Sequence, residues 1–292
     1  MKEALLYQSL SGERVMCNVC RHRCIIPLNG RGLCGVRKND GGRLYSMNYG
    51  KTISVAADPI EKKPLQYYMP GTKTYSLAAE GCNMHCAWCQ NWEISQQPGP
   101  ERAIRGAMIK PEEHIKKAFA WKCRSVSYTY TEPTVFLEYA LEIMKKARST
   151  GLKNIWVTNG FMTAEALIEL LPFLDAANVD LKAFEDDVYQ KYCGGRLAPV
   201  LENIRTMYEA GVHVEVTTLV IPGVNDDAAQ LSGIADFIAS KLDPSVPWHI
   251  SRFFPAWHMT DRGPTPAETL IMAERLGREA GLHRIHPGNI VL

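Results

Sequence analysis

From residue 74 onward, short apolar runs alternate with longer stretches whose apolar positions recur at helical spacing. The runs at 74–79, 125–130, 154–158, 176–181, 212–221 and 247–253 predict strands. The stretches 111–123, 133–149, 163–173, 197–210, 225–240 and 265–281 predict amphipathic helices. Thr265-Pro266-Ala267-Glu268 reads as a capping box with proline at the first helical position. Gly151, Gly211 and Gly281 stand where left-handed caps end helices. Strand and helix alternating in this way imply an α/β fold with a parallel sheet and right-handed crossovers. About six β/α units are too few for a closed eight-stranded barrel, and ligands should sit at the C-terminal ends of the strands.

Residues 1–70 follow another pattern, of short β-type runs and turns. Asp58-Pro59-Ile60-Glu61-Lys62-Lys63-Pro64 reads as an extended linker, dividing a small N-terminal module (1–70) from the main α/β domain (71–292). The module is locally basic: Arg14, Arg21, Arg23, Arg31, Arg37, Lys38 and Arg43 face only Glu13 and Asp40 between residues 13 and 43. That surplus is either a solvated surface or a docking face for an acidic partner or electron-donor protein. Over the whole chain the net charge is +2, which makes no case for nucleic acid or membrane. No apolar run reaches about 18 residues, so no membrane helix is expected. The N-terminus lacks the apolar core of a signal peptide, and a cytoplasmic protein is expected.

The nine cysteines change the picture most, because seven fall in two short clusters. In a reducing compartment such clustering argues for metal rather than disulfides. Cys17, Cys20, Cys24 and Cys34 have the spacing C-x2-C-x3-C-x9-C, with glycines at 30, 32 and 35 for tight turns. Four sulfurs satisfy structural zinc or a closed second iron–sulfur cluster equally well. Cys82, Cys86 and Cys89, spaced C-x3-C-x2-C just after the first strand, can hold three irons of a [4Fe–4S] cluster and leave the fourth open. A zinc loop completed by His85 is the alternative, but His85 adjoins Cys86, too close for easy shared tetrahedral ligation.

Cys82-Asn83-Met84-His85-Cys86-Ala87-Trp88-Cys89 resembles the C-x3-C-x-aromatic-C signature of radical S-adenosylmethionine (SAM) enzymes. Together with the N-terminal cysteines, Asp58–Pro64, Tyr128–Pro133 and Trp248–Pro255, it resembles the AmmeMemoRadiSam radical SAM family, related to pyruvate formate-lyase activating enzymes. The resemblance implies a partial (β/α)6 barrel and reductive cleavage of SAM to a 5′-deoxyadenosyl radical. It makes Cys82, Cys86 and Cys89 the catalytic cluster ligands, with Trp88 placed to stack on the cofactor. Tyr130-Thr131-Glu132-Pro133 is similar to the Gly-Gly-Glu-Pro motif that holds the SAM amino group, so Thr131 and Glu132 are implied there. Asn159, in Val157-Thr158-Asn159-Gly160, is implied at the methionyl group or ribose. Asp180-Leu181-Lys182 resembles the Asp-Leu-Lys motif of activating enzymes, with Lys182 a partner for the SAM carboxylate. Thr217 and Leu219 are expected near ribose and adenine, and His249 and Arg252 at the mouth.

Three functions follow as expectations. The first is hydrogen abstraction from a protein glycine or a small molecule, with a flavodoxin or ferredoxin as electron donor. The second is radical methyl or methylthio transfer or rearrangement on a small molecule or nucleoside. The third is a non-enzymatic redox or metal adaptor.

Overall fold

The computed structural model describes residues 1–96 and 102–288. Eight strands form one sheet in sequence order: β1 Ser54–Pro59, β2 Lys73–Ala78, β3 Ser125–Tyr128, β4 Lys153–Thr158, β5 Ala176–Asp180, β6 His213–Val220, β7 Trp248–Arg252 and β8 Ile285–Gly288. From β2 to β8 all neighbours are parallel, and β1 pairs antiparallel with β2. The helices α1 Pro111–Ala120, α2 Leu137–Ser149, α3 Ala164–Leu170, α4 Leu197–Glu209, α5 Ala228–Phe237 and α6 Ala267–Glu279 make the successive crossovers. The six-stranded expectation is thus extended by one strand at each edge. Both additions contain proline, which an edge strand tolerates and which hides a strand from pattern reading.

Period-2 alternation sorts the strand residues onto two faces. Tyr128, Trp156, Val179, Val216 and Trp248 pack in one buried core with helix residues such as Leu141, Leu167, Ile204 and Leu231. The other face is largely polar and lines the inside of the curved sheet. There Thr74 Oγ1 meets Ser127 Oγ at 2.6 Å, and Thr217 Oγ1 donates to Asn178 Oδ1 at 2.9 Å.

The stretch read as a linker is therefore corrected. Asp58 and Pro59 end β1, and the following residues fill the inside of the sheet. Ile60 and Leu65 pack with Ile155 and Ala176, and Pro64 O accepts from Asn178 Nδ2 at 2.8 Å. The run reads as a linker because it is charged and proline-flanked, yet Lys63 is only 1% exposed and gives its charge to Asp58 at 2.6 Å. The capping box is also corrected. Thr265 does not cap α6; its hydroxyl donates to Val220 O at 2.6 Å and accepts from Phe253 N at 2.8 Å. Gly151, Gly211 and Gly281 do take positive φ, +83°, +80° and +94°.

The N-terminal residues form two small antiparallel sheets, Lys2–Glu3 with Arg43–Ser46 and Arg37–Asp40, and Tyr7–Ser9 with Val15–Cys17 and Ile25–Ile26. Much of their basic surplus is spent on acids of the barrel helices: Arg37 on Glu138, Arg23 on Glu165 and Arg21 on Glu202, each at 2.7 Å. Among the described residues no helix is long and apolar enough to cross a membrane.

Glu215, on β6, fastens the interior segment. It accepts from the backbone N–H of Tyr67 (2.9 Å) and Gln66 (3.1 Å) and bonds His213 (2.9 Å) and His249 (2.6 Å). Burial pushes its carboxyl up, but these partners outweigh burial and hold it at about 2 against an ordinary 4.5. A depressed carboxyl adds stability above its unfolded pKa and loses it on acidification. Glu215→Gln is expected to cost about 1–3 kcal/mol near neutral pH. In urea unfolding at a series of pH values, the gap to wild type should close as pH falls from 4.5 towards 2. A gap that does not change with pH would show that the charge is not what fastens the segment.

Candidate functional site

A cavity of about 570 Å³ opens at the C-terminal ends of β3 to β7. Cys82, Cys86, Trp88 and Cys89 from the loop after β2 form part of its wall. The segments ending the later strands contribute Thr131 and Glu132, Asn159, Asp180 and Lys182, and Thr217 and Leu219. His249 does not line it. Its ring is 5% exposed, bonded to Glu215 and stacked on His286 at 5.2 Å. On β7 it shares the interior face with Ser251 but sits two residues deeper, and Ser251 is the one that reaches the cavity. Arg252 is also otherwise engaged, donating from Nε to Thr265 O at 2.8 Å.

The cysteine loop is held from several sides. Its backbone runs beside residues 192–193, with His85 N donating to Cys193 O (2.8 Å) and Ala87 N to Tyr192 O (2.9 Å). Cys82 Sγ accepts from Met84 N at 3.4 Å and from Asn159 Nδ2 at 3.8 Å. Cys89 Sγ lies 3.1 Å from Ser95 Oγ. His85 Nδ1 is engaged by Gln96 Oε1 at 3.0 Å.

Among the described residues, no three His, Cys, Asp or Glu side chains stand around one ion-sized point. What Cys82, Cys86 and Cys89 share is a cavity wall. Three thiols along one wall fit a four-iron cube, which takes each thiolate on a different iron.

The charges are unevenly tuned. A hydrogen bond from the Cys193 thiol pulls Cys86 down to about 7, against burial, with Lys182 helping. Burial, then the Glu132 carboxyl, pushes Cys82 well up. Burial also raises Glu132. Burial works against the Lys182 ammonium, but Asp180, 3.0 Å away, and the nearby thiols hold its pKa well above the ordinary range.

Sequence reading missed part of the cavity wall. Lys62, Lys63, Pro64 and Tyr130 line it too. Tyr130 has φ +67°, rare for a residue with a side chain, and its hydroxyl bonds Asp58 while Lys63 Nζ sits 4.3 Å over its ring. The usable signal was the tyrosine standing where the similar motif has glycine. Glu80 was missed as well: fully buried, it accepts from Arg105 Nε (2.6 Å) and Arg102 Nη2 (3.0 Å).

The radical SAM superfamily model matches residues 77–231. The chain belongs to the radical SAM superfamily. An uncharacterized protein of Methanocaldococcus jannaschii is 43% identical over 290 residues, 99% of this chain and 86% of its own. The isethionate sulfite-lyase activating enzyme of Desulfovibrio desulfuricans is 27% identical over 52% of this chain and 48% of its own. The benzylsuccinate synthase activating enzyme of Thauera aromatica is 25% identical over 47% and 44%. The match thus spans about half the length of those activating enzymes. A solved radical SAM methyltransferase from Sphaerobacter thermophilus has the same fold, with TM-score 0.59 and 16% identity over 76% of this chain and 68% of that one.

In this radical SAM protein the cysteine loop also abuts the N-terminal sheets, at Gly81. Its φ is +113°, and a Cβ there would fall 2.8 Å from Val36 Cγ1 and 3.2 Å from Cys34 O. Gly81→Ala is expected to cost about 1–3 kcal/mol and to make residues before 50 more sensitive to limited proteolysis. Unchanged urea unfolding and proteolysis would mean the contact with Val36 and Cys34 does not constrain the loop.

Proposed function

We propose that this chain binds a [4Fe–4S] cluster through Cys82, Cys86 and Cys89, cleaves SAM reductively, and abstracts hydrogen from a polypeptide partner of glycyl-radical type. The observation that carries the reading is the shared cavity, where three thiols stand with the buried Glu132 carboxylate and the partly buried Lys182 ammonium at the strand ends. The likeness to activating enzymes supports the choice of a polypeptide partner. When bound, the cluster supplies the electron for cleavage and an open iron for the amino and carboxylate groups of SAM.

The protein's own groups then orient and select. Lys182 offers the cation for the methionyl carboxylate, and Asp180 keeps it charged. Glu132 Oε1 is taken by Thr134 N (3.0 Å), Thr134 Oγ1 (2.6 Å) and Thr158 Oγ1 (2.8 Å), while among the described residues Oε2 takes only Asn159 N (2.8 Å). Oε2 therefore keeps capacity to accept from the SAM ammonium. Thr131 uses its hydroxyl on Ala79 O at 2.7 Å and offers backbone to the same end. Asn159 is already engaged at both ends of its amide, by Asn83 Oδ1 and Phe161 N, so it positions the cysteine loop. Trp88 and Leu219 give apolar wall for the adenine, and Thr217 stands beside Leu219's strand position for the ribose. The electron comes from an external low-potential donor such as a flavodoxin or ferredoxin.

Anaerobically reconstituted protein, given SAM and reductant, is expected to release 5′-deoxyadenosine and methionine, and Cys86→Ala to abolish this. Lys182→Met should keep iron and sulfide but lose one charged hydrogen bond, about 1.5–3 kcal/mol. Calorimetry should then show SAM affinity down by about 10- to 100-fold. Wild-type affinity would reduce Lys182 to an ion-pair partner of Asp180. Failure to form 5′-deoxyadenosine in a cluster-replete wild type would reject the reading as a whole.

A further inference from the structure

A second, much smaller cavity of about 10 Å³ lies mostly among the N-terminal residues and shares no lining residue with the larger one. Cys17, Cys20, Cys24 and Cys34 all line it, and all are free thiols. They arrive from separate pieces of chain. Cys17 ends a strand and donates its backbone N–H to the carbonyl of Cys24 at 2.9 Å, Cys20 bridges to Met162 of the barrel, and Cys34 lies in the turn before Arg37–Asp40. Gly32 packs closely at the wall, since a Cβ there would stand 3.3 Å from Ile26 Cδ1.

Arg37 also lines this cavity and is 2% exposed. Its Nη1 donates to Glu138 Oε1 at 2.7 Å, but Nε and Nη2 have no hydrogen-bond partner among the described residues. Buried donors of a charged group are costly to leave unused. Arg37 shares this cavity with the four thiols, and a neutral thiol is a weak acceptor, whereas a metal-bound thiolate carries the negative charge a guanidinium seeks.

We infer that Cys17, Cys20, Cys24 and Cys34 ligate one metal centre as four thiolates, with Arg37 as its buried counter-cation, donating from Nε and Nη2 to ligand sulfur. Zinc with four thiolates and an oxidised [4Fe–4S] cluster with four thiolates are both dianions, so they present Arg37 with the same acceptor chemistry. Each thiol releases its proton to solvent as the metal binds. Among the described residues no three of these thiols stand around one ion-sized point, so ligation requires their side chains to turn inward.

The test uses the full chain carrying Cys82→Ala, Cys86→Ala and Cys89→Ala, so that its outcome does not depend on the SAM reading. Purified without oxygen, this protein should retain either about one zinc per chain without sulfide, or about four irons with matching sulfide; either supports the site and identifies the metal. Adding Cys17→Ser and Cys34→Ser should lower the retained metal by about tenfold or more. Finding neither zinc nor iron with sulfide, or equal metal after those changes, overturns the site. For Arg37, the paired change Arg37→Met with Glu138→Leu removes both buried charges. It is expected to keep the circular dichroism of the parent while a chelator strips the metal about tenfold faster. An unchanged stripping rate removes Arg37 from the centre. Should the pair fail to fold, Arg37→Lys, which keeps the charge but lacks the forked donors, gives the same comparison.

Discussion

Four hydrogen bonds into the Glu132 carboxylate fix the geometry of the cavity mouth. The donors come from the first turn after β3 (Thr134 N and Oγ1) and from the end of β4 (Thr158 Oγ1 and Asn159 N). A carboxylate 2% exposed would be costly without them, and burial does push its pKa up. With them it becomes a rigid joint between two strand ends. The joint extends further, because Asn159 holds Asn83 Oδ1 at 2.8 Å and Asn83 O meets His22 Nε2 at 2.7 Å. Cysteine loop, strand ends and N-terminal sheets thus share one network, and such networks hold their members more tightly than pairwise bonds suggest.

The polar inner face of the sheet poses a second constraint. An open sheet with serines, threonines, Asn178 and Glu215 facing inward needs something that can both hydrogen-bond and fill. Residues 60–69 do this, with Ile60 and Leu65 for volume and backbone groups for Asn178 and Glu215. Asp58 anchors their start. Burial opposes its charge, but Lys63, Tyr130, Lys62 and Ser76 together hold it well below the usual carboxylate range. The left-handed backbone of Tyr130 costs roughly 1–2 kcal/mol, offset by that hydroxyl bond and by Lys63 over its ring.

Much of this was legible along the chain. The β2 to β7 strands and their helices follow from apolar periodicity, which responds to one strong variable, burial of the outer face. The cysteine loop, Glu132 and Lys182 could be picked out because motif and strand end coincide. Other features had no local signal. The interior segment looks like a linker because its burial rests on partners such as Asn178 and Glu215, more than a hundred residues away. Thr265 fits a capping box locally, but Val220 and Phe253 compete for its hydroxyl and win. His249 looked like a mouth residue because strand period gives the face a residue occupies and not its depth.

The seam between the N-terminal sheets and the barrel bears on how the chain is made. Its bonds join residues far apart in sequence: Arg37 to Glu138 spans 101 positions, Arg21 to Met162 spans 141, and Thr163 to Asn18 spans 145. A ribosome delivers the N-terminal stretch first and its seat much later. At 5–20 residues per second the wait is about 5 to 30 s. Through that interval Cys17, Cys20, Cys24 and Cys34 are attached to a segment that has no barrel to bury them. Their exposure to oxidants is therefore set by the speed of translation while the chain is being made, and by the finished fold only afterwards.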